Sequence, residues 1–468
     1  MEKSKAGLQE ELHRGLEERH IQLIALGGAI GVGLFLGSGA AIKTAGPALM
    51  LAYFIGGIVM FYIMRALGEV AVAYPVSGSF SAYANLFLGP LSGYITGWTY
   101  WFMWIVTCMA EITAVGVYVH YWLPDVPQWI PALLALICMT GVNLIAVKLY
   151  GEFEFWFALI KVITILAMIV VGLGMILFGI GNGGIAIGIS RLWTEGGFFP
   201  KGLEGVALSL VMVMFAYLGI ELVGITAGEA KNPEKTLPSA IDKVFWRILI
   251  FYVGALFVIM SLYPWDKIGT IGSPFVLTFE KLGIPAAAGI INFVVLTAAL
   301  SSCNSGIFST GRMLYNLALQ NKAPSKFGEL SSRHVPLNGI LVSGMFLLIG
   351  VVLNYFVPAK VFTYVTSVAT FGALWIWTII LLVQKNYRAS LSAQQVTELK
   401  YPMPHYPFGT WVSLAFLIMV AVIMFFDDDT RMALYIAPIW FGLVIASYYG
   451  LGLNKENKKA PVMIYSQK

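Results

Sequence analysis

Leu26-Gly27-Gly28-Ala29-Ile30-Gly31-Val32-Gly33-Leu34 places four glycines in a run that is otherwise apolar. Each glycine costs a helix about 1 kcal/mol against alanine. A helix broken here frees backbone N–H and C=O groups, and at membrane depth such groups persist only where protein or a water-filled cavity receives them. An unbroken helix would use the same glycines for close approach to a neighbour. The run by itself leaves both readings open. A dinucleotide fingerprint does not fit: the spacing is Gly31-x-Gly33-x-x-x-Gly37, without a strand before it.

Around this run lies a chain of 468 residues, 59% hydrophobic and only 11% charged. Soluble domains average about 45–50% apolar and about 25% charged, so the composition is that of an integral membrane protein. Twelve apolar runs, near 21–42, 47–65, 91–122, 129–147, 155–178, 205–227, 244–263, 285–315, 337–356, 361–384, 410–427 and 432–453, approach or exceed the roughly 20 residues of a crossing helix. The third and eighth are long enough to require tilt. Alternating strands of a membrane barrel are absent from the pattern. With the N-terminus inside, the cytoplasmic tails and loops hold 21 of the 29 Lys and Arg, and the outer loops hold seven. This positive-inside bias predicts cytoplasmic termini and accounts for the net charge of +5 without nucleic acid. The first 20 residues, polar and mixed in charge, do not read as a cleavable signal peptide. Cys108, Cys138 and Cys303 fall in apolar runs and read as small buried hydrophobes rather than a disulfide or metal set.

The sixth run, Phe215-Ala216-Tyr217-Leu218-Gly219-Ile220-Glu221-Leu222-Val223-Gly224, brackets a carboxylate with glycines. The two glycine-interrupted runs open two blocks of five, 21–178 and 205–384. Interrupted helices at matching places in two inverted halves point to a transporter binding site. A half-helix N-terminus attracts a carboxylate, and the carbonyls of a C-terminal end attract an ammonium. An α-amino acid carries both groups. A charge inside the bilayer costs at least about 2.5–3.5 kcal/mol and is a functional candidate by default. Glu111, Lys161 and Glu221 qualify. Lys161 reads as a proton-coupling amine or a structural one, Glu111 as a substrate or proton ligand, and Glu221 as a gating or helix-pairing group. Glu152 and Glu154 read as acids complementing a helix N-terminus. Thr297, Ser301, Asn304 and Ser305 share one helix face, and Thr363, Thr366, Ser367 and Thr370 another. Either face lines a water-accessible path or bonds a neighbouring helix. Tyr100, Trp101 and Trp104 read as packing residues or as the wall of a side-chain pocket. No acid–base–nucleophile set of an enzyme is visible.

The run Gly228-Glu229-Ala230-Lys231-Asn232-Pro233-Glu234-Lys235-Thr236-Leu237-Pro238-Ser239-Ala240 resembles the loop signature of the amino acid–polyamine–organocation superfamily. Arg14-Gly15-Leu16-Glu17-Glu18-Arg19-His20-Ile21, Ile30 to Phe35, Gly151-Glu152-Phe153-Glu154-Phe155-Trp156-Phe157 with Lys161, and Gly272-Ser273-Pro274-Phe275 resemble its bacterial amino acid permeases, in the proline, threonine/serine and histidine branch. The resemblance implies an all-α membrane fold of twelve transmembrane helices. These form a five-plus-five inverted repeat with helices 1 and 6 interrupted, followed by two further helices at 410–453. The tails 1–20 and 454–468 and the loop 385–409 would be cytoplasmic, and the loop 179–204 external. It implies proton-coupled import of an amino acid across the bacterial inner membrane, with no cofactor beyond the proton, and the lack of an evident acidic pocket for a cationic side chain favours a neutral or weakly basic one. An exchanger of the same fold, or a non-transporting sensor, are the alternatives. The expected binding set is Ala29, Ile30, Gly31, Val32, Gly33, Glu111, Phe215, Tyr217, Leu218, Gly219 and Ser301. The substrate carboxylate would meet the N–H groups of Val32 and Gly33, and the ammonium the carbonyls of Ala29, Phe215 and Leu218. Tyr217 resembles an aromatic gate, and Lys161 the proton site in a sodium ion's place. Val32 departs from the Ser or Thr of many relatives, so a hydroxyl contact is missing.

Overall fold

In the computed structural model, residues 30–76, 79–145, 147–225, 232–268, 272–281 and 285–456 are described, and among them all regular structure is helical. Helix α1 (Ser38–Ala45) is entered through a π-helical turn, Gly33–Gly37, and leads through Gly46-Pro47 into α2 (Leu49–Ala73). Then follow α3 (Pro90–His120), α4 (Trp129–Ile145), α5 (Val147–Phe178), α6 (Gly202–Ala216) and α7 (Pro233–Leu262). The last five are α8 (Pro285–Leu319), α9 (Leu337–Phe356), α10 (Pro358–Ala389), α11 (Phe408–Phe426) and α12 (Asp428–Gly450). Nine helices among the described residues are long and apolar enough to cross a membrane, with α4 and α6 shorter but apolar. The chain is therefore a helical membrane protein. The expected run 337–356 coincides with α9, whereas the run 205–227 stops at Ala216 and resumes only as Leu222–Ile225. The N-terminal part of the first run, through Ala29, lies outside the described residues.

Helix α3 is the hub. Its apolar stretch is 83% buried, against 22% for α12, so α3 is packed by protein while α12 faces outward. Glycines set the approach of three partners. A methyl at Gly306 of α8 would stand 2.2 Å from Cys108 Sγ, at Gly350 of α9 2.7 Å from Met109, and at Gly372 of α10 2.9 Å from Met103. Small residues at crossings let backbones close where lipid offers no hydrophobic drive. The outward faces carry Leu134 and Ile137 on α4, Val170 and Leu177 on α5, and Ile439 and Leu443 on α12. Cys138, expected to be buried, lies on the same outward face of α4. A thiol behaves as a small hydrophobe, and an apolar exterior accepts it as readily as a core.

The connection 385–409, which the sequence presents as a plain polar loop, is ordered into a clasp under α2 and α10. It contains a short helix, Ala393–Thr397, closed by a capping box between Ser392 and Gln395. Glu69 of α2 receives Arg388 of α10 through two bonds of 2.7 Å, Gln384 Nε2 at 3.1 Å and the Met403 backbone N–H. Arg65 of α2 pairs with Asp242 of α7 at 2.7 Å, donates to the Pro402 carbonyl at 2.6 Å and lies over the Tyr401 ring. Tyr401 in turn donates to Asp242 at 2.6 Å. The Glu69 side chain is 0% exposed and Arg388 10%. Breaking such a pair leaves an uncompensated buried charge. Glu69→Ala is expected to destabilise the protein by about 2–3 kcal/mol, just under the usual range because Arg388 retains some water and the Met403 carbonyl. Thermal unfolding in detergent reads this as a lower Tm, and an unchanged Tm would show that the clasp holds nothing.

Candidate functional site

Helix α6 ends because the chain turns through residues 217–221. Gly219 sits at φ +95°, a backbone region closed to most side chains. Its N–H donates to the carboxylate of Glu221 at 3.2 and 3.3 Å, so Glu221 serves its own break, beside Trp377 of α10. The Ala216 carbonyl receives the Tyr252 hydroxyl at 2.9 Å. Tyr217 is turned toward α2 and α7: its hydroxyl donates to the Tyr53 carbonyl, and its ring meets Tyr53 and Tyr252 at 5.7 and 5.1 Å. Phe215 meets Phe362 of α10 edge to face at 6.3 Å. Leu218 and Ile220 are buried within the turn.

Opposite this break begins the described part of the first span. The Gly31 carbonyl accepts the N–H groups of Leu34 and Phe35 at 3.2 and 3.3 Å, which starts the helical ladder. The first N–H groups of any helix lack an intrahelical acceptor. The start of the first described helix touches the α6 turn: a methyl at Gly33 would stand 2.5 Å from Ala216 Cα. Glu111 of α3 lies against the same turn. A methyl at Gly31 would stand 3.0 Å from Glu111 Oε1 and 3.3 Å from Ser302 Oγ. The carboxylate faces the Val32 N–H and the Ser302 hydroxyl, and Lys161 acts on it through space. Its Oε2 is buried with no hydrogen-bond partner among the described residues. A side-chain carboxylate thus stands beside the Val32 amide, where the family resemblance would place a substrate carboxylate.

Lys161 of α5, 0% exposed, ties these parts together. Its Nζ donates to the Ile30 carbonyl at 3.1 Å and to Ser301 Oγ of α8 at 3.2 Å. The Ser301 hydroxyl donates to both oxygens of Glu154 at 3.0 Å. The structure therefore brings Ile30, Gly31, Val32, Gly33, Glu111, Lys161 and Ser301 into one cluster against the α6 turn. Ala29 lies outside the described residues, as does the side chain of Glu152. Glu154, read from the sequence as a helix-end acid, is instead fully buried in this cluster. The missed signal is spacing: residues 154 and 161 are two turns apart on one face of α5.

The two polar faces divide. On α8, Ser301 joins the cluster, and Asn304 Oδ1 accepts from Asn143 Nδ2 of α4 at 2.8 Å. On α10, Thr366, Ser367 and Thr370 donate to carbonyls of their own helix at 2.7–3.0 Å. Trp101 donates to Ser343 of α9 at 3.0 Å, and Tyr100 packs on Phe80 at 4.9 Å. Among the described residues no three His, Cys, Asp or Glu side chains converge on a metal site.

The family model described as "Amino acid permease" matches residues 20–459. The chain is 67% identical over 452 residues to the uncharacterized amino acid permease YtnA of Bacillus subtilis (strain 168), covering 97% of this chain and 98% of the relative. It is 52% identical over 449 residues to that organism's probable threonine/serine transporter YbxG, covering 96% and 97%. It is 50% identical over 446 residues to its amino-acid permease AapA, covering 95% and 96%. These relatives are transporters and not enzymes. The match across nearly the whole length shows that the chain belongs to the amino acid permease family.

Proposed function

We propose that this chain imports a small neutral or weakly basic amino acid by proton symport with alternating access, across a bacterial inner membrane and with both termini cytoplasmic. The fold in this reading has twelve spans, five-plus-five inverted, with two C-terminal helices. The observation that carries it is Lys161, a buried amine bonded to the Ile30 carbonyl where the first helix begins and to Ser301 of α8. An ammonium makes charge-assisted bonds roughly twice as strong as neutral ones. Protonated Lys161 holds the start of the first helix, at Ile30, to α8, and deprotonated Lys161 loosens that hold, so a proton biases which side of the site opens.

The substrate carboxylate takes the Val32 and Gly33 N–H groups, and its ammonium the carbonyls at Phe215 and Leu218. Glu111 faces the Val32 amide already. It yields that position by moving or by taking a proton, which links substrate binding to protonation. Glu221, holding the Gly219 N–H, sets the shape of the α6 turn and gates through it. The 52% identity to a probable threonine/serine transporter makes threonine and serine the first substrates to test. In proteoliposomes without sodium, acid outside and neutral inside should drive labelled threonine or serine above equilibrium, and a protonophore should abolish the accumulation. Uptake that ignores the protonophore and requires sodium would overturn proton symport. Uptake that requires internal amino acid would make the protein an exchanger.

A further inference from the structure

We propose that Glu154 is the cytoplasm-side terminus of a proton wire, receiving through Ser301 the proton that Lys161 gives up. The inference rests on Lys161 being the proton site and adds where the proton goes next. Three hydrogen bonds run in one direction. Lys161 Nζ donates to Ser301 Oγ at 3.2 Å, and Ser301 Oγ donates to Glu154 Oε1 and Oε2, each at 3.0 Å. All three side chains are 0% exposed. A hydroxyl is the side chain suited to this joint, since it accepts with its lone pairs while donating its single proton. Were Ser301 only a structural tie for the amine, its proton would need no buried carboxylate. Were Glu154 only the counter-charge of Lys161, it would gain more by touching the ammonium directly.

The step balances. One N–H bond of the Lys161 ammonium breaks, and that proton bonds to Ser301 Oγ. The former Ser301 hydroxyl proton bonds to a Glu154 carboxylate oxygen. An ammonium and a carboxylate become an amine and a carboxylic acid, with Ser301 restored and the net charge unchanged. Two buried charges disappear together, which a low-dielectric surrounding favours. Among the described residues, Lys161 acts on Glu154, and Glu154 and Glu111 act on Lys161. From α8 the groups facing Glu154 are the hydroxyls of Ser301 and Ser305. Glu154 lies seven residues before Lys161 on α5, about 10 Å nearer the cytoplasm in the proposed orientation. From there its proton leaves to internal water once that side opens, and the carboxylate is restored.

The test compares two assays in proteoliposomes for wild type, Ser301→Ala, Ser301→Thr, Glu154→Gln and Glu154→Asp. One assay is accumulation driven by a pH gradient. The other is counterflow at equal pH, which needs no net proton movement. Ser301→Ala and Glu154→Gln are expected to lose driven uptake by about a hundredfold, the low end of what a positioned proton-transfer group supplies. They should keep counterflow at a reduced rate that no longer varies with pH. Ser301→Thr and Glu154→Asp should restore driven uptake. Driven uptake at the wild-type rate and with the wild-type pH profile in Glu154→Gln overturns the wire while leaving proton symport standing. Parallel loss of counterflow and driven uptake overturns it as well, because both residues would then only hold the structure. Absence of driven uptake in the wild type refutes the symport reading, and the wire with it.

Discussion

Lys161→Gln is expected to abolish proton-driven accumulation and to leave a slow exchange that does not respond to pH. The side chain it replaces is fully buried and bridges two elements, the Ile30 carbonyl at the start of the first helix and Ser301 on α8. A glutamine amide still offers a donor to one of these acceptors, yet it cannot change charge in the range of living cells. Coupling should therefore fall by at least about a hundredfold, the scale on which a positioned proton donor contributes, while insertion persists. Lys161→Ala goes further. It leaves the Glu154 carboxylate buried without the nearby cation that offsets its charge and strands the Ile30 carbonyl, and a buried group left unsatisfied costs about 1–3 kcal/mol. That variant should also lose thermal stability, and removing the stranded charge with Glu154→Gln in the same chain should recover part of it. Driven uptake and Tm, measured side by side on the three variants, separate coupling from folding. A Lys161→Gln protein that accumulates substrate in proportion to the pH gradient would remove the amine from the mechanism.

Much of this architecture is written in the linear pattern, and the exceptions have physical causes. Apolar run length locates α9 and α11 within a few residues, since a lipid-spanning helix must satisfy its own backbone. The turn after α6 is signalled by Gly219, and the structure places that residue at a positive φ. Lys161 stands out because a charge inside an apolar run demands partners. Glu154 does not stand out, because an acid at the start of a helix already has a local explanation in the helix dipole. Only the fold shows Ser301 reaching it from 147 residues away. The clasp beneath α2 is hidden for the same reason: Glu69 and Arg388 are 319 residues apart, and neither is unusual for a helix end. The direction in which Tyr217 points, toward Tyr53 and Tyr252, depends on torsions in a five-residue turn. Helical periodicity carries no information there.

The glycine run is where a minimal change should have the largest effect on binding. A methyl added at Gly33 would stand 2.5 Å from the Cα and 3.0 Å from the backbone nitrogen of Ala216. Real Cβ atoms essentially never come so close, and the obstructing atoms are backbone, which cannot swing aside as a long side chain can. Gly33→Ala must therefore move the first helix and the α6 turn apart. Those two segments carry the amides of Val32 and Gly33 and the carbonyls of Phe215 and Leu218 proposed to hold the two ends of the substrate. A displacement of about 1 Å in a positioned site costs on the order of a hundredfold. Gly33→Ala should weaken substrate affinity on that scale, and Gly33→Val should eliminate measurable transport. Gly442 on α12 supplies the control, since a methyl there meets nothing within 4 Å, and Gly442→Ala should transport as the wild type does. Ala216→Gly should not rescue Gly33→Ala, because the nearest obstruction is the Cα and survives that change. Substrate-dependent thermal shifts and competition uptake measure all four variants. Wild-type affinity in Gly33→Ala would mean that the two turns can separate without consequence, and that the amino acid binds somewhere other than between them.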